Sequence, residues 1–186
     1  MAIPARLRLP PVDQGLFDEM SMLCDSIEAE LEAGEAATLL LRRWHAHTWR
    51  EHEPHEFRNY WRSIDKETFV RNALNPEPRL DDDLRYSEAL AVLEAVTNVA
   101  VSVSEIDYYS SWLEAQLPGG NINDLIYWPD EWFSDASLFT DANGAFKPEA
   151  KLSNDQILAY AMAKSGRRLP GAPENVVLPF PVPSDR

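Results

Sequence analysis

Leu16, Met20, Leu23, Ile27 and Leu31 recur at intervals of three and four residues, the repeat of one helix face, and predict a first helix over residues 14–33. Asp13 suits its N-cap, Val12 and Phe17 are placed to form a hydrophobic staple, and Gly34 stops it. The acids of this segment fall largely off the apolar stripe, so Asp25, Glu28 and Glu32 are expected on a face turned to water.

A second helix is expected from about Glu35 to His52, carrying Leu39, Leu40, Leu41, Trp44 and Trp49. Pro54 cannot sit inside it but suits the first turn of a third helix, where Phe57, Tyr60, Trp61 and Ile64 repeat at helical spacing until Asn75-Pro76-Glu77-Pro78. Val92, Val96, Val99, Val103, Ile106, Leu113 and Leu117 predict a long helical segment within residues 84–117, with Asn98 as its weakest point. Val99, Val101 and Val103 alternate with small residues there, which by itself reads as a strand. Residues 121–150 are irregular. The last helix is signed at both ends, by a Ser153–Gln156 capping box with a Leu152–Ile157 staple and by Gly166.

The pattern therefore predicts a mainly α fold: a single-domain bundle of about five helices with an irregular aromatic loop region and proline-rich ends, or α+β if residues 96–104 form a strand. Its divisions are an extended segment 1–12, an acidic helical domain 13–169 and a proline-rich tail 170–186. Val176, Val177, Leu178 and Phe180 are too apolar for a free tail, so docking on the body is expected.

Charge sharpens this picture. The 186 residues hold 31 acids and 17 bases, a net charge of −14. Eight acids and no base lie between Arg8 and Arg42, and ten acids and no base between Arg85 and Lys147; residues 42–79 carry eight bases and six acids. Such segregation implies faces of strong negative potential, which repel phosphate backbones and anionic lipid and attract basic proteins. Direct nucleic-acid binding and membrane association are therefore disfavoured. One cysteine, Cys24, cannot form an internal disulfide, and the start of the chain lacks the apolar run of a signal peptide, so a cytoplasmic location is expected.

Two short stretches concentrate side chains capable of chemistry. Residues 44–57, WHAHTWREHEPHEF, hold all four histidines. His45 and His52, seven apart, would share a helix face, whereas His45 and His47 would not. His52-Glu53-Pro54-His55 is one residue short of the zinc-protease pattern HExxH and is broken by proline. A zinc site would need His52, His55 and Glu56 completed from another helix. The simpler assignment puts His52 at the negative end of one helix dipole and Glu53 and Glu56 at the positive start of the next.

The second stretch, residues 126–133, is IYWPDEWF. Tyr127, Trp128 and Trp132 are residue types that anchor protein interfaces, and Asp130 and Glu131 between them suit a basic partner. Against this, Pro129 would start a short helix whose aromatics fill the core. The turn Asp141-Ala142-Asn143-Gly144 lacks the carboxylate that a calcium loop requires at its last position. No glycine-rich phosphate loop, nucleophile elbow or paired-cysteine motif is present in the sequence.

These features favour an acidic protein that binds and masks a basic partner, in the manner of immunity proteins and antitoxins, with no catalytic residue and no cofactor. Two alternatives are a small metal-dependent hydrolase with its site at the 52–56 corner, and a nucleic-acid mimic that occludes a DNA-binding protein.

Overall fold

In the computed structural model, which describes residues 2–183, the chain is mainly α: nine α-helices and no strand are found among the described residues. One isolated bridge pairs Thr140 with Phe146. The chain forms two compact units. One comprises residues 8–78 and 102–108, the other residues 2–7, 79–101 and 109–183.

In the first unit, α1 (Gln14–Glu32) is capped by Asp13, whose carboxylate accepts from the Leu16 amide at 2.9 Å. Met20, Leu23, Ile27 and Leu31 are buried along one stripe, as their spacing predicts, with Cys24 buried beside them and Leu16 half-buried at its start. Leu41 and Trp44 of α2 (Thr38–His45) and Phe69, Val70 and Ala73 of α4 (Lys66–Leu74) pack in the same core. Between them runs α3 (Pro54–Phe57), one turn long.

Two expected helices end early, for reasons of tertiary packing. α2 stops at His45, and residues 46–53 loop back so that the His52 ring lies 5.7 Å from the Trp44 ring. On a continuous helix these residues would be separated by about 12 Å along the axis, so a straight run to His52 forgoes this contact. The third helix yields after Phe57, because Asp65 starts a fresh one by accepting from the Thr68 amide at 2.7 Å. The apolar repeat from Phe57 to Ile64 is consequently broken, and Trp61 is 65% exposed.

The second unit is built on α5 (Tyr86–Thr97) and α9 (Asn154–Ser165), which pack together and are joined by Tyr86 donating to Asp155 at 2.6 Å and by the Thr97–Asn154 hydrogen bonds; Ala89, Val92, Leu93 and Val96 of α5 and Leu158 and Ala161 of α9 are buried. The long valine-rich segment breaks after Asn98. Val99 takes a left-handed φ of 51° and is exposed, and α6 (Val103–Gln116) begins beyond it. A β-branched residue pays for that conformation sterically, and an extended run through residues 96–104 is absent. α9 has the expected Ser153–Gln156 capping box, and Gly166 ends it at φ 71°.

Gln116, fully buried, ties this unit together. It donates to the carbonyl oxygens of Arg79 (2.7 Å) and Trp112 (3.2 Å), and its side-chain oxygen accepts from the Asp81 amide at 2.8 Å. Arg167 donates to the Gln116 and Asp81 carbonyls. Arg6 forms ion pairs with Asp81 and Glu88.

Candidate functional site

The histidine corner is a packed structural element. His52 is 4% exposed, with Phe57 and Phe69 edge-on to its ring at 6.3 and 5.8 Å besides Trp44. Burial, followed by the charge of Arg50, pulls its pKa down to about 4, so the ring is neutral at pH 7. Its Nδ1 and the Trp44 Nε1 have no hydrogen-bond partner among the described residues. His45 Nε2 lies 2.9 Å from the His52 amide nitrogen and 3.1 Å from the His52 carbonyl oxygen, and this contact fixes the loop at its base.

The three sequence-derived metal ligands are not presented together. The Glu56 carboxylate is held by the Arg50 guanidinium at 2.7 Å and the Glu53 amide at 2.7 Å. Partial burial works against its ionisation, yet these bonds keep it below the usual carboxylate range. His55 is exposed on α3 and its carbonyl accepts from Asn59. Among the described residues, no group of three or more His, Cys, Asp or Glu is arranged to hold a metal ion. Cys24 is buried and its thiol is pushed up to about 12, chiefly by burial, so it stays protonated.

The acids of α1 divide three ways. Asp25 pairs with Lys66 at 2.7 Å, Glu28 is half-buried against the Tyr60 hydroxyl, and Glu32 is exposed. Arg43 reaches toward Glu19 of the same helix at 3.7 Å.

The aromatic stretch is arranged differently. Residues 121–133 form a helical hairpin of α7 (Ile122–Tyr127) and α8 (Pro129–Phe133) with Pro129 at the first position of the second helix. Ile122, Leu125 and Phe133 are buried, and Trp132 is half-buried, its ring 5.4 Å from Tyr160 and its Nε1 donating to the Gly120 carbonyl at 2.9 Å. Gly120 is buried against α9. A β-carbon there would stand 2.8 Å from the Leu117 oxygen and 2.9 Å from the Ala161 oxygen, both backbone.

Because Trp132 and Phe133 turn inward, their neighbours point out. Tyr127 is 47% and Trp128 53% exposed, with ring centroids 5.6 Å apart. Of the five residues named in this stretch, Tyr127, Trp128 and Glu131 are exposed, Asp130 is half-buried, and Trp132 serves the packing of the unit. Asp130 is half-buried and Glu131 exposed in the first turn of α8. The sequence reading missed Asp124, one helical turn before Trp128 and half-buried on α7, whose i to i+4 spacing was the available signal. Asp124, Asp130 and Glu131 make no ion pair among the described residues. Glu114 accepts from the Asn123 amide at 2.7 Å, and burial, with the Asp124 charge, raises its pKa.

No helix among the described residues is long and apolar enough to cross a membrane. Comparison of the chain with protein-family models, with curated proteins and with solved structures found no match.

Proposed function

We propose that this chain is a protein-binding, inhibitory protein of the immunity-protein or antitoxin kind, which masks a basic partner in the cytoplasm through the α7–α8 hairpin. The observation that carries this reading is the exposed Tyr127–Trp128 pair flanked by Asp124, Asp130 and Glu131, carboxylates that make no ion pair among the described residues. Their stretch of sequence, from Tyr86 to Phe146, holds ten acids and no base. Unneutralised charge of one sign steers oppositely charged proteins and raises the association rate. Two adjacent aromatic rings supply area whose burial would hold the complex once formed.

The hairpin is suited to this work because its inward residues are committed to the core. Trp132, Phe133 and Gly120 hold the helices, so Trp128 would meet a partner from a rigid base and little ordering would be needed on binding. The glutamates and aspartates on the rim would govern approach, and Trp128 dissociation.

The test is retention of proteins from native lysate on the immobilised chain, washed at low and high salt, beside a Tyr127→Ala/Trp128→Ala variant. The expected result is a basic protein held at low salt by the unmodified chain, with Kd raised about 30-fold or more in the variant. Equal retention by the variant, or retention indifferent to salt, sinks the proposal.

A further inference from the structure

Residues 170–183 lie along α9, and the way they are held is informative. Tyr160 is buried in α9, and its hydroxyl donates to the Phe180 carbonyl at 2.6 Å and accepts from the Phe180 amide at 2.9 Å. The Gln156 side chain donates to the Val177 carbonyl at 3.0 Å. Three residues apart, the tail is thus gripped by its backbone, with helix side chains as the reading groups. One side chain is read as well: the Phe180 ring stands 5.5 Å from Phe133 and 5.3 Å from Phe139. Val177 is 84% exposed, and Pro179 and Pro181 also face solvent.

Backbone hydrogen bonds combined with one aromatic anchor are how protein grooves recognise extended peptides. The occupant here has the properties of such a ligand. Pro179 and Pro181 flank the anchor and restrict the free segment to extended backbone, which lowers the entropy lost on docking. Pro170, Gly171 (φ 79°) and Pro173 separate the segment from α9, and Arg168 donates to the Ala172 and Pro173 carbonyls there. Beside α9 an open depression of about 250 Å³ lies between the helix and the tail, lined by Ala159, Met162, Val176 and Leu178 among others. The tail therefore fills its groove incompletely.

We infer that the α8–α9 face is a peptide-recognition groove for extended apolar segments bearing a proline-flanked phenylalanine, and that the chain's own Val176–Pro183 occupies it in cis. This inference is independent of the partner proposed for Tyr127 and Trp128. The groove reads main chain and a single ring, so a segment of the same chemistry presented in trans competes with the tail for it.

The decisive experiment uses a fluorescently labelled peptide of residues 174–183 and the full chain carrying Phe180→Ala, its helix content checked by circular dichroism. Saturable anisotropy is expected with the variant, with binding at least ten-fold weaker to the unmodified chain, whose tail competes, and loss of binding when the peptide's own phenylalanine is alanine. No saturable binding, equal binding to both chains, or binding unaffected by the peptide's Phe→Ala change overturns the inference. Amide hydrogen exchange on the unmodified chain provides a second measurement that needs no variant. The Phe180 amide is expected to exchange faster than the central amides of α9, through opening of the tail alone; exchange only at the rate of those amides overturns it equally.

Discussion

The corner at residues 44–57 and the hairpin at residues 122–133 resemble each other in composition, each dense in aromatics and acids, yet they are turned in opposite directions. In the corner, Trp44, His52 and Phe57 point inward and Glu56 is held by Arg50 and by the Glu53 amide, while Trp49 stays exposed. In the hairpin, Trp132 and Phe133 carry the packing, while Tyr127, Trp128 and the neighbouring carboxylates remain available. What decides between them is the supply of counter-charge and the geometry of the turn. Arginines lie within reach in the first, and none exists in the second. Residues that look most chemical in sequence are those whose chemistry the first region spends on itself.

This contrast can be broken experimentally. The largest effect is expected from Trp44→Ala, which removes a fully buried ring and should cost about 3–5 kcal/mol in urea unfolding. A loss under 1 kcal/mol would deny the corner its role as core.

Next comes acid. His52 has a folded-state pKa of about 4 against an ordinary 6.5, so the unfolded chain takes up a proton that the folded chain refuses. Its contribution is intact above pH 6.5 and is lost as pH falls toward 4, by about 3 kcal/mol in total. His52→Phe should flatten that part of the stability–pH curve, and an unchanged slope would remove His52 as its cause.

Gly120→Ala should destabilise by about 1–3 kcal/mol, because both close neighbours of the added carbon are backbone oxygens that cannot step aside. A thermal melt unchanged by this substitution would mean that the hairpin is not seated on α9 by close approach. The smallest effect on stability belongs to Trp128→Ala, within about 0.5 kcal/mol, since the ring is half exposed. A loss above 2 kcal/mol would make Trp128 a packing residue, as Trp132 is, and would erase the difference between the two regions.

Legibility followed the range of the forces. α1 and α9 were readable with their ends, since Asp13 and the Ser153–Gln156 box act within one turn. The break after Asn98 left a trace in the sequence, but the left-handed Val99 did not, because nothing in a valine announces it. The split of the second and third expected helices was not readable. It depends on Trp44, His52 and Phe69 meeting, three residues whose spacing obeys no helical repeat. At the hairpin, residue type identified the stretch, while the inward turn of Trp132 depends on Gly120 and Tyr160, the latter 28 residues away in sequence.

The Gln116–Arg167 junction has a consequence for synthesis. Residues 8–78 supply nearly all of the first unit as one uninterrupted length, so its core can assemble while the ribosome is still translating. The second unit must wait. Arg79, Asp81 and Gln116 acquire their clasp only when Arg167 has emerged, and Arg6, made almost first, finds Asp81 and Glu88 across some 75 and 82 residues. Nascent chains arrested after residue 150 should therefore protect Trp44 from solvent but leave Gln116 and its neighbours open to proteolysis, an order of maturation in which the segment 8–78 sets first and the residues on both sides of it close later.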